Sequence, residues 1–323
     1  MSNGRRLLPR KTFAAVAADI GSFMRGPGYD YAADLAADPL VYPLAFDRML
    51  EADTALFEPL DEAGIPVKGP PGAPGRYMPS RIAGHALAHW NLSRRPGAPG
   101  QHLERFMAAA NWFAGQPKGA FMHDLPLESM AVPWPSCLAQ GEGLSVLVRA
   151  FAATGDRRFL DQAHAAVDLL EVPVEQGGVA STLPDGSFFL EEYPGGRHRH
   201  VLNGALFAAV GLDDLMRMSD QTELRARILR DRLLTALERN IGLWSTGDWS
   251  VYSIERAAAG ARNACTLHYQ LVHLALLRSL VGAAPCRIAL SRVARHWTQG
   301  ARRPLSRARA LAMKSFYRAT NGW

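Results

Sequence analysis

Residues 138–170 read LAQGEGLSVLVRAFAAT, then the turn GDRR, then FLDQAHAAVDLL. The first run is apolar and rich in small residues, whereas the second combines apolar and charged residues at helical spacing. A short turn that contains Gly and Asp separates them, which is typical of an αα-hairpin. The stretch therefore predicts a buried helix followed by an outer helix with one face in solvent.

The same arrangement recurs along the chain at a spacing of roughly 60 residues. Apolar helices are expected to start near Ile82, Leu138, Val201 and Asn263, and each precedes a turn and a more amphipathic helix. Stacked αα-hairpins at a near-constant period form solenoids or closed toroids. We therefore predict a mainly α fold, an α/α toroid that forms an incomplete barrel of about four helix pairs. The first helix of each pair should form the inner layer.

The loops that lead into the inner helices are long and contain Gly, Pro and aromatic residues. They cover residues 116–137, 172–200 and 240–262, and in a toroid such loops gather at one mouth. Loops longer than ~12–15 residues in a compact domain are usually functional. Within the second loop, Pro-Asp-Gly at 184–186 lies between GGVASTL and SFFLEEY, which predicts a small β-hairpin near 177–192.

The composition excludes several classes of protein. Of the 323 residues 48% are hydrophobic and 20% are charged, which is typical of a globular chain with a core and excludes disorder and collagen. No apolar run approaches the ~18–20 residues of a membrane span. The three cysteines form no CxxC pair, and the chain contains no P-loop, GxGxxG, HExxH or GxSxG motif. We therefore expect neither a metal nor a cofactor. The basic N-terminus is a poor match to a signal peptide, so a cytoplasmic location is expected.

Charge is unevenly distributed along the chain. Residues 1–255 carry 24 basic and 30 acidic side chains, whereas residues 256–323 carry 12 basic and no acidic ones. A basic segment of this kind favours an anionic partner, such as nucleic acid, a membrane surface or an acidic polysaccharide. No nucleic-acid-binding motif accompanies the charge, so nucleic acid is not expected. Residues 301–319 predict a basic, partly amphipathic helix, for which we expect a membrane surface or a biosynthetic complex as partner.

Four stretches resemble the C-terminal domain of D-glucuronyl C5-epimerases, the heparosan and heparan-sulfate epimerases. They are AQGEGLSVLVRAF, FLEEYPGGRHRHVLNGALFAAVGLDDL, GDWSVYSIE and NACTLHYQLVHLALL. With the upstream segment GIPVKGPPGAPGRYMPSRIAGHALAHWN, the resemblance covers about residues 62–297. It divides the chain into an N-terminal extension (1–61), a toroid epimerase domain (62–298) and a basic C-terminal helix (299–323). It implies an α/α toroid and an isomerase that converts D-glucuronate to L-iduronate residues within a heparosan-like polysaccharide.

The resemblance also implies residues of the site. The family's EEYP motif places a catalytic glutamate and tyrosine on Glu192 and Tyr193. Its VLNG motif places a substrate-contacting asparagine on Asn203. The tyrosines of its YDL and DYH motifs, both catalytic, fall on Tyr252 and Tyr269.

The reaction that the resemblance implies requires an arginine or a protonated acid near the sugar carboxylate. H5 is α to that carboxylate, and its removal builds a second negative charge that the site must neutralise. The candidate cations are Arg81, Arg256 and the arginines within 197–199. His273 follows Tyr269 at i, i+4 on one helix face and is a candidate substrate contact.

Inversion at C5 also requires a proton acceptor and a proton donor on opposite faces of the ring. We expect Tyr269 and Glu192 to form that pair, with Tyr252 and Tyr193 polarising or relaying protons. Two alternatives stay open. One is an α/α-toroid uronate lyase, which removes the same proton and then expels the 4-linked oxygen. The other is a non-catalytic saccharide-binding α/α module whose tyrosines are core residues. The expected partner is an anionic uronate polysaccharide, and a homodimer stays open.

Overall fold

The computed structural model describes residues 10–26, 28–69, 75–127, 130–195, 198–219, 224–256, 260–283 and 287–321. These ranges contain eleven α-helices: α1 (Arg10–Arg25), α2 (Phe46–Ala52), α3 (Pro79–Ser93), α4 (Gln101–Ala114), α5 (Cys137–Thr154), α6 (Arg157–Glu171), α7 (Leu202–Met218), α8 (Leu224–Asn240), α9 (Leu267–Ala283), α10 (Ile288–Arg302) and α11 (Pro304–Asn321). The same ranges contain six short strands: β1 (Val67–Lys68), β2 (Arg76–Tyr77), β3 (Ala180–Thr182), β4 (Phe188–Leu190), β5 (Val251–Arg256) and β6 (Arg262–Ala264). The chain is therefore mainly α, as predicted.

Eight of the helices form four consecutive pairs, in which α3 packs on α4, α5 on α6, α7 on α8 and α9 on α10. The first members of the pairs pack side by side in the order α3, α5, α7, α9 and form an inner layer. Most residues of α5 and α7 are buried, whereas α6 and α8 keep a charged face in solvent because apolar residues line only their inner side. This arrangement is an incomplete α/α toroid, so the predicted fold class is confirmed.

The inner helices begin close to three of the four predicted positions. They start at Pro79, Cys137, Leu202 and Leu267. The fourth predicted inner helix also forms, as α9, but it starts at Leu267 because Asn263 lies in β6, which pairs with β5 as an antiparallel strand. The helix therefore begins after this strand rather than at it.

The N-terminal segment fills the gap between α3 and α9. Helix α2 packs on α3, and the Tyr31 hydroxyl lies 2.8 Å from His268 Nδ1 of α9. Trp90 Nε1 of α3 donates to the Leu40 carbonyl at 2.8 Å. Buried residues on both sides of residue 61 belong to one hydrophobic core, so the segment helps to close the ring.

A buried ion pair joins α5, α7 and the N-terminal segment. Arg149 Nη1 lies 2.6 Å from Asp214 Oδ2, and both side chains are fully buried. Arg149 also donates to the carbonyls of Leu40 and Val41 at 3.0 and 3.2 Å, and Ser145 Oγ donates to Asp214 at 2.8 Å. A buried pair is tolerated when its remaining hydrogen-bonding groups are satisfied, and here several partners supply those bonds.

Two glycines allow the backbones of α5 and α7 to touch. A Cβ atom on Gly211 would lie 2.1 Å from the Gly141 carbonyl oxygen, and one on Gly141 would lie 2.4 Å from the Phe207 carbonyl oxygen. No side chain fits at either position without separating the helices, so this crossing requires glycine on both.

The predicted β-hairpin forms in the loop between α6 and α7. Strands β3 and β4 pair antiparallel, with Ala180 opposite Leu190. Because β4 ends at Leu190, Glu191 and Glu192 leave the hairpin toward the start of α7. Two further pairs, β1–β2 and β5–β6, were not predicted.

The predicted C-terminal helix forms as α11, but it packs against α1 and β6 rather than standing apart as an appended helix. Arg318 of α11 pairs with Asp19 of α1 at 3.0 Å, and Ser306 Oγ donates to Asp248 Oδ2 at 2.5 Å. Some basic side chains of α11 are therefore paired with acidic residues of the same protein. None of the described helices is both long and apolar enough to span a bilayer.

We expect Gly211→Ala to destabilise the fold by at least ~2 kcal/mol, because the new methyl group would collide with the backbone of α5. Urea unfolding measured by circular dichroism tests this. Gly100→Ala is the control, since a Cβ there meets nothing within 4 Å, and its effect should stay within ~0.5 kcal/mol. Equal stability of the two variants would contradict the close crossing.

Candidate active site

Glu192 is the buried centre of the candidate site, with only 6% of its surface exposed. Asn203 Nδ2 at the start of α7 donates to Glu192 Oε2 at 3.0 Å. The Tyr252 hydroxyl donates to Glu192 Oε1 at 3.4 Å, and it lies 3.3 Å from the Tyr193 hydroxyl. Four residues that three separate motifs predict thus share one hydrogen-bonded cluster.

Tyr269 joins this cluster from α9. Its ring meets the ring of Tyr252 edge-on, with the centroids 4.8 Å apart. The structure therefore brings all four predicted catalytic side chains together, although they come from the loop after β4, from β5 and from an inner helix. Trp134, from the loop before α5, lies 6.1 Å from Tyr193 between ring centroids, so the long loops do meet at one mouth.

Gly204 provides the space in which Glu192 sits. A Cβ atom on Gly204 would lie 2.6 Å from Glu192 Cβ and 3.2 Å from Cys137 Sγ. The Asn-Gly pair at the start of α7 therefore supplies both a hydrogen-bond donor and the room for the carboxylate that accepts from it.

The neighbouring carboxylate, Glu191, has a structural task. It is fully buried, it accepts from Ser181 Oγ at 2.8 Å and from the His200 backbone N–H at 3.1 Å, and its Oε1 lies 2.7 Å from His200 Nδ1. These contacts fix the end of the hairpin to the residues that precede α7. Of the two adjacent glutamates, only Glu192 faces the tyrosines.

Burial sets the protonation of the cluster. It raises the pKa of Glu192 to about 7, against the opposing effect of hydrogen bonds from Tyr193, Tyr252 and Asn203. Burial, and then the charge of Glu192, raise the pKa of Tyr269 to about 12 and those of Tyr193 and Tyr252 well above the usual value of a tyrosine. Near neutral pH the carboxyl group can thus take up or release a proton, while the phenols remain protonated donors.

Glu142 is a further buried acid that the sequence reasoning did not select. It lies on α5 with 2% exposure, and its Oε2 has no hydrogen-bond partner among the described residues. Burial, and then the charge of Glu192, raise its pKa well above that of an ordinary glutamate, so it is a neutral acid. The available signal was a single charged residue within the otherwise apolar run LAQGEGLSVLV.

Two cavities meet at the tyrosines. The α11 cavity, of about 350 Å³, is lined by Tyr193, Tyr252 and Tyr269 and by residues of α11. The α3 cavity, of about 260 Å³, is lined by Glu142, Glu192 and Asn203, by apolar residues of the N-terminal segment and α3, and again by Tyr193 and Tyr269. The α11 cavity is within the ~300–1,000 Å³ of typical ligand pockets. In the described ranges no three His, Cys, Asp or Glu side chains are grouped as metal ligands would be.

The predicted cation Arg81 does not line either cavity. Its Nη2 donates to the Glu58 carbonyl at 2.8 Å, and its guanidinium group lies 5.8 Å from the Phe57 ring centroid. It therefore holds the N-terminal segment against α3. Arg256 is the last residue of β5, and its side chain lies outside the described part of the structure, as does the whole of Arg197.

Three cations line the α11 cavity, and two of them were not predicted. The predicted one is Arg199, whose Nε lies 3.8 Å from Glu255 Oε2. The others are Lys314 and Arg318 of α11. Sequence reasoning placed them on a helix that meets an external partner, because nothing local to α11 indicates that it folds back onto the mouth.

His273 lies in the core rather than at the site. It is fully buried, and its Nδ1 lies 3.0 Å from Ser250 Oγ. Burial lowers the pKa of His273 to about 3, so the ring is neutral. One helical turn separates it from Tyr269, and on α9 that turn leads from the cavities into the protein interior.

Comparison with known proteins identifies the family of the chain. Residues 118–299 match the family model described as D-glucuronyl C5-epimerase C-terminus, which is more than half of the chain. The chain belongs to this family. The matched range contains Glu192, Tyr193, Asn203, Tyr252 and Tyr269, and it ends before α11.

Similar proteins were found at moderate identity. The chain is 32% identical over 217 residues to D-glucuronyl C5-epimerase of Caenorhabditis elegans, covering 61% of this chain and 35% of that protein. It is 29% identical over 153 residues to an uncharacterized protein of Methanocaldococcus jannaschii, covering 46% of this chain and 47% of that one. It thus spans less than half the length of either relative. A GH76 α-mannanase of Bacteroides thetaiotaomicron is similar in structure with a TM-score of 0.48 and 11% identity, over 88% of this chain and 72% of that one.

We expect Glu192→Gln to become more stable than wild type as the pH rises. Between pH 4.5 and about 7 the unfolded chain ionises while buried Glu192 keeps its proton, so the wild-type fold loses stability with rising pH in this window. The neutral amide avoids that loss, which should reach roughly 3 kcal/mol above pH 8. Urea unfolding at pH 4 to 9 measures it. The exposed Glu104→Gln on α4 is the control, and a pH-independent difference for Glu192→Gln would contradict the raised pKa.

Proposed function

We propose that the protein is a polysaccharide glucuronate 5-epimerase, an isomerase that converts D-glucuronate to L-iduronate residues in a heparosan-like polymer. Membership of the epimerase family supports the reaction class. The single observation that carries the proposal is the buried Glu192 carboxyl, whose pKa burial raises to about 7 and which accepts from a tyrosine hydroxyl where it lines the α3 cavity.

In the proposed mechanism Glu192 and Tyr269 act from opposite faces of the sugar ring. The Glu192 carboxylate takes H5, and the electron pair of the C5–H bond moves into the carboxylate of the sugar to give an enediolate. The Tyr269 hydroxyl then delivers its proton to C5 on the other face. The cycle leaves Glu192 with one proton more and Tyr269 with one fewer.

Tyr252 lies where it could return Glu192 and Tyr269 to their starting protonation states. Its hydroxyl donates to Glu192, it lies 3.3 Å from the Tyr193 hydroxyl, and its ring contacts the ring of Tyr269. A proton passed from Glu192 through Tyr252 to the Tyr269 phenolate would balance the cycle without release to solvent. Asn203 orients Glu192 through Nδ2, while its Oδ1 is buried without a hydrogen-bond partner among the described residues and is available to a sugar hydroxyl.

Incubation with heparosan, chondroitin and other glucuronans in D₂O, followed by NMR, tests the proposal. Deuterium at C5 together with iduronate supports the epimerase. An unsaturated uronate, detected by its ultraviolet absorbance, would instead show a lyase. Binding of the polymer with neither label nor product would favour a non-catalytic saccharide-binding module.

We expect Tyr269→Phe to lower the rate of C5 exchange at least ~100-fold, because general acid–base groups typically contribute ~10²–10⁴-fold. The ring is kept, so the fold should be retained. Tyr77→Phe is the matched control. Tyr77 lies on β2, its hydroxyl donates a hydrogen bond to Asp61, and it lines neither cavity. Full exchange by Tyr269→Phe would remove this residue from the mechanism.

We expect kcat/KM of the wild-type enzyme to rise with pH through about 7. A protonated Glu192 cannot accept H5, so activity should follow ionisation of the carboxyl group whose pKa burial raises to about 7. Initial rates of deuterium incorporation between pH 5 and 9 measure this. A profile that is flat across this range would exclude Glu192 as the base.

A further inference from the structure

Helix α11 presents two cations to the tyrosines of the candidate site. Lys314 and Arg318 are one helical turn apart, and both line the α11 cavity with Tyr252 and Tyr269. The helix spans Pro304–Asn321, beyond the residues 118–299 that match the family. The mouth of this site is therefore walled in part by a segment outside the matched range.

Of the two cations, Lys314 has the positive charge that is less fully balanced by a carboxylate. Its Nζ donates to Asn263 Oδ1 at 2.7 Å, and an ammonium group has three donors. None of the ion pairs among the described residues includes Lys314, whereas Arg318 pairs with Asp19 at 3.0 Å. The charge of Asp19 acts on Lys314 without forming an ion pair with it, so this partly buried charge stays incompletely compensated unless an anion completes its environment.

A cation at the cavity would serve the proposed chemistry. Removal of H5 places a second negative charge on the sugar carboxylate, which a cation or a protonated acid in contact with it must neutralise. Arg81 lines neither cavity, and Arg199 lies beside Glu255. Lys314 lines the cavity with the tyrosines, and although Glu255 lines the same cavity and the charge of Asp19 acts on Lys314, no described carboxylate forms an ion pair with it.

We propose that Lys314 binds the carboxylate of the uronate that reacts, so that α11 completes the substrate site. The inference rests on the proposed function for the identity of the anion. Asn263 holds the ammonium group, and Arg318, fixed by Asp19, lies behind it on the same helix. Burial lowers the pKa of Lys314 and Arg318 lowers it further, whereas Cys265 and Asp19 oppose this effect; an incoming carboxylate would favour the charged ammonium form.

The test compares binding of a heparosan hexasaccharide with binding of its carboxyl-reduced form, in which glucose replaces each glucuronate. Calorimetric titrations would use the full chain as wild type and as Lys314→Gln, in which the amide can still donate to Asn263. We expect Lys314→Gln to weaken binding of the hexasaccharide by about 10- to 100-fold and to leave binding of the reduced form unchanged. Lys314→Arg, which keeps the charge, should retain most of the affinity.

Two further variants separate a local role from a structural one. Arg309→Gln removes a cation of α11 that pairs with Asp248 outside the cavity, and it should bind both ligands as wild type does. Lys314→Met is a second neutral variant, to be used if Lys314→Gln does not fold in thermal unfolding. Equal loss for both ligands, no loss for either, or no preference of the wild type for the carboxylate form would each overturn the inference.

Exchange in D₂O separates this inference from the proposed function. If the wild type shows no C5 exchange but Lys314 variants lose carboxylate-dependent binding, the epimerase proposal fails and the binding role stands. If the wild type and Lys314→Gln exchange C5 with the same KM and kcat, the epimerase proposal stands and the role of Lys314 is overturned.

Discussion

The direct backbone contact between α5 and α7 is the constraint on which the rest of the structure depends. Because Gly141 and Gly211 carry no side chain, the two inner helices lie closer together than any other residue would allow. At that distance Gly204 at the start of α7 lies against Cys137 at the start of α5. The Cys137 backbone N–H donates to the carbonyl of Glu191, in the loop after β4, at 3.1 Å. The carboxylate of the following residue, Glu192, is thereby held over Gly204.

The buried charges of the protein fall into two kinds that differ in how well they are satisfied. Arg149 and Asp214 are fully buried, but each finds its opposite charge and further hydrogen bonds, so the pair holds helices together. Among the residues that the structure describes, no cation pairs with buried Glu142 or Glu192, and two neighbouring buried carboxyl groups cannot both be ionised at low cost. Since Glu192 receives three hydrogen bonds and Glu142 Oε2 receives none among the described residues, the negative charge resides on Glu192. An incompletely satisfied pair of this kind is more typical of a functional site than of a structural one.

The fold was predictable where the information is local. Helical periodicity and its recurrence placed three of four inner helices within a few residues, and Pro-Asp-Gly marked the hairpin that ends at Leu190. The start of the fourth inner helix was predicted at Asn263 rather than at Leu267, because β6 forms only through pairing with β5, which helical periodicity does not report. The prediction that His273 contacts substrate was wrong for a similar reason. A shared helix face with Tyr269 does not reveal how far the cavity extends along the helix axis.

The candidate site was predictable mainly through the resemblance, because its residues come from segments that local patterns do not connect. Glu192, Tyr193, Tyr252 and Tyr269 do cluster, although no property of each segment alone requires it. The part contributed by α11 was not predictable, since the resemblance ends before it.

The uneven charge along the chain has a different meaning once the chain is folded. Arg318 pairs with Asp19, and Arg309 pairs with Asp248, so the acidic body neutralises part of the basic tail. Arg262 donates to the backbone carbonyls of the loop before β5, including that of Ser245 at 2.7 Å. Lys314, in contrast, is directed into the cavity beside the tyrosines. A polyanion would thus be attracted over a distance by the net charge of +6, an effect that salt screens within roughly 8–10 Å, whereas its position in the site would depend on contacts inside the cavity that salt screens much less.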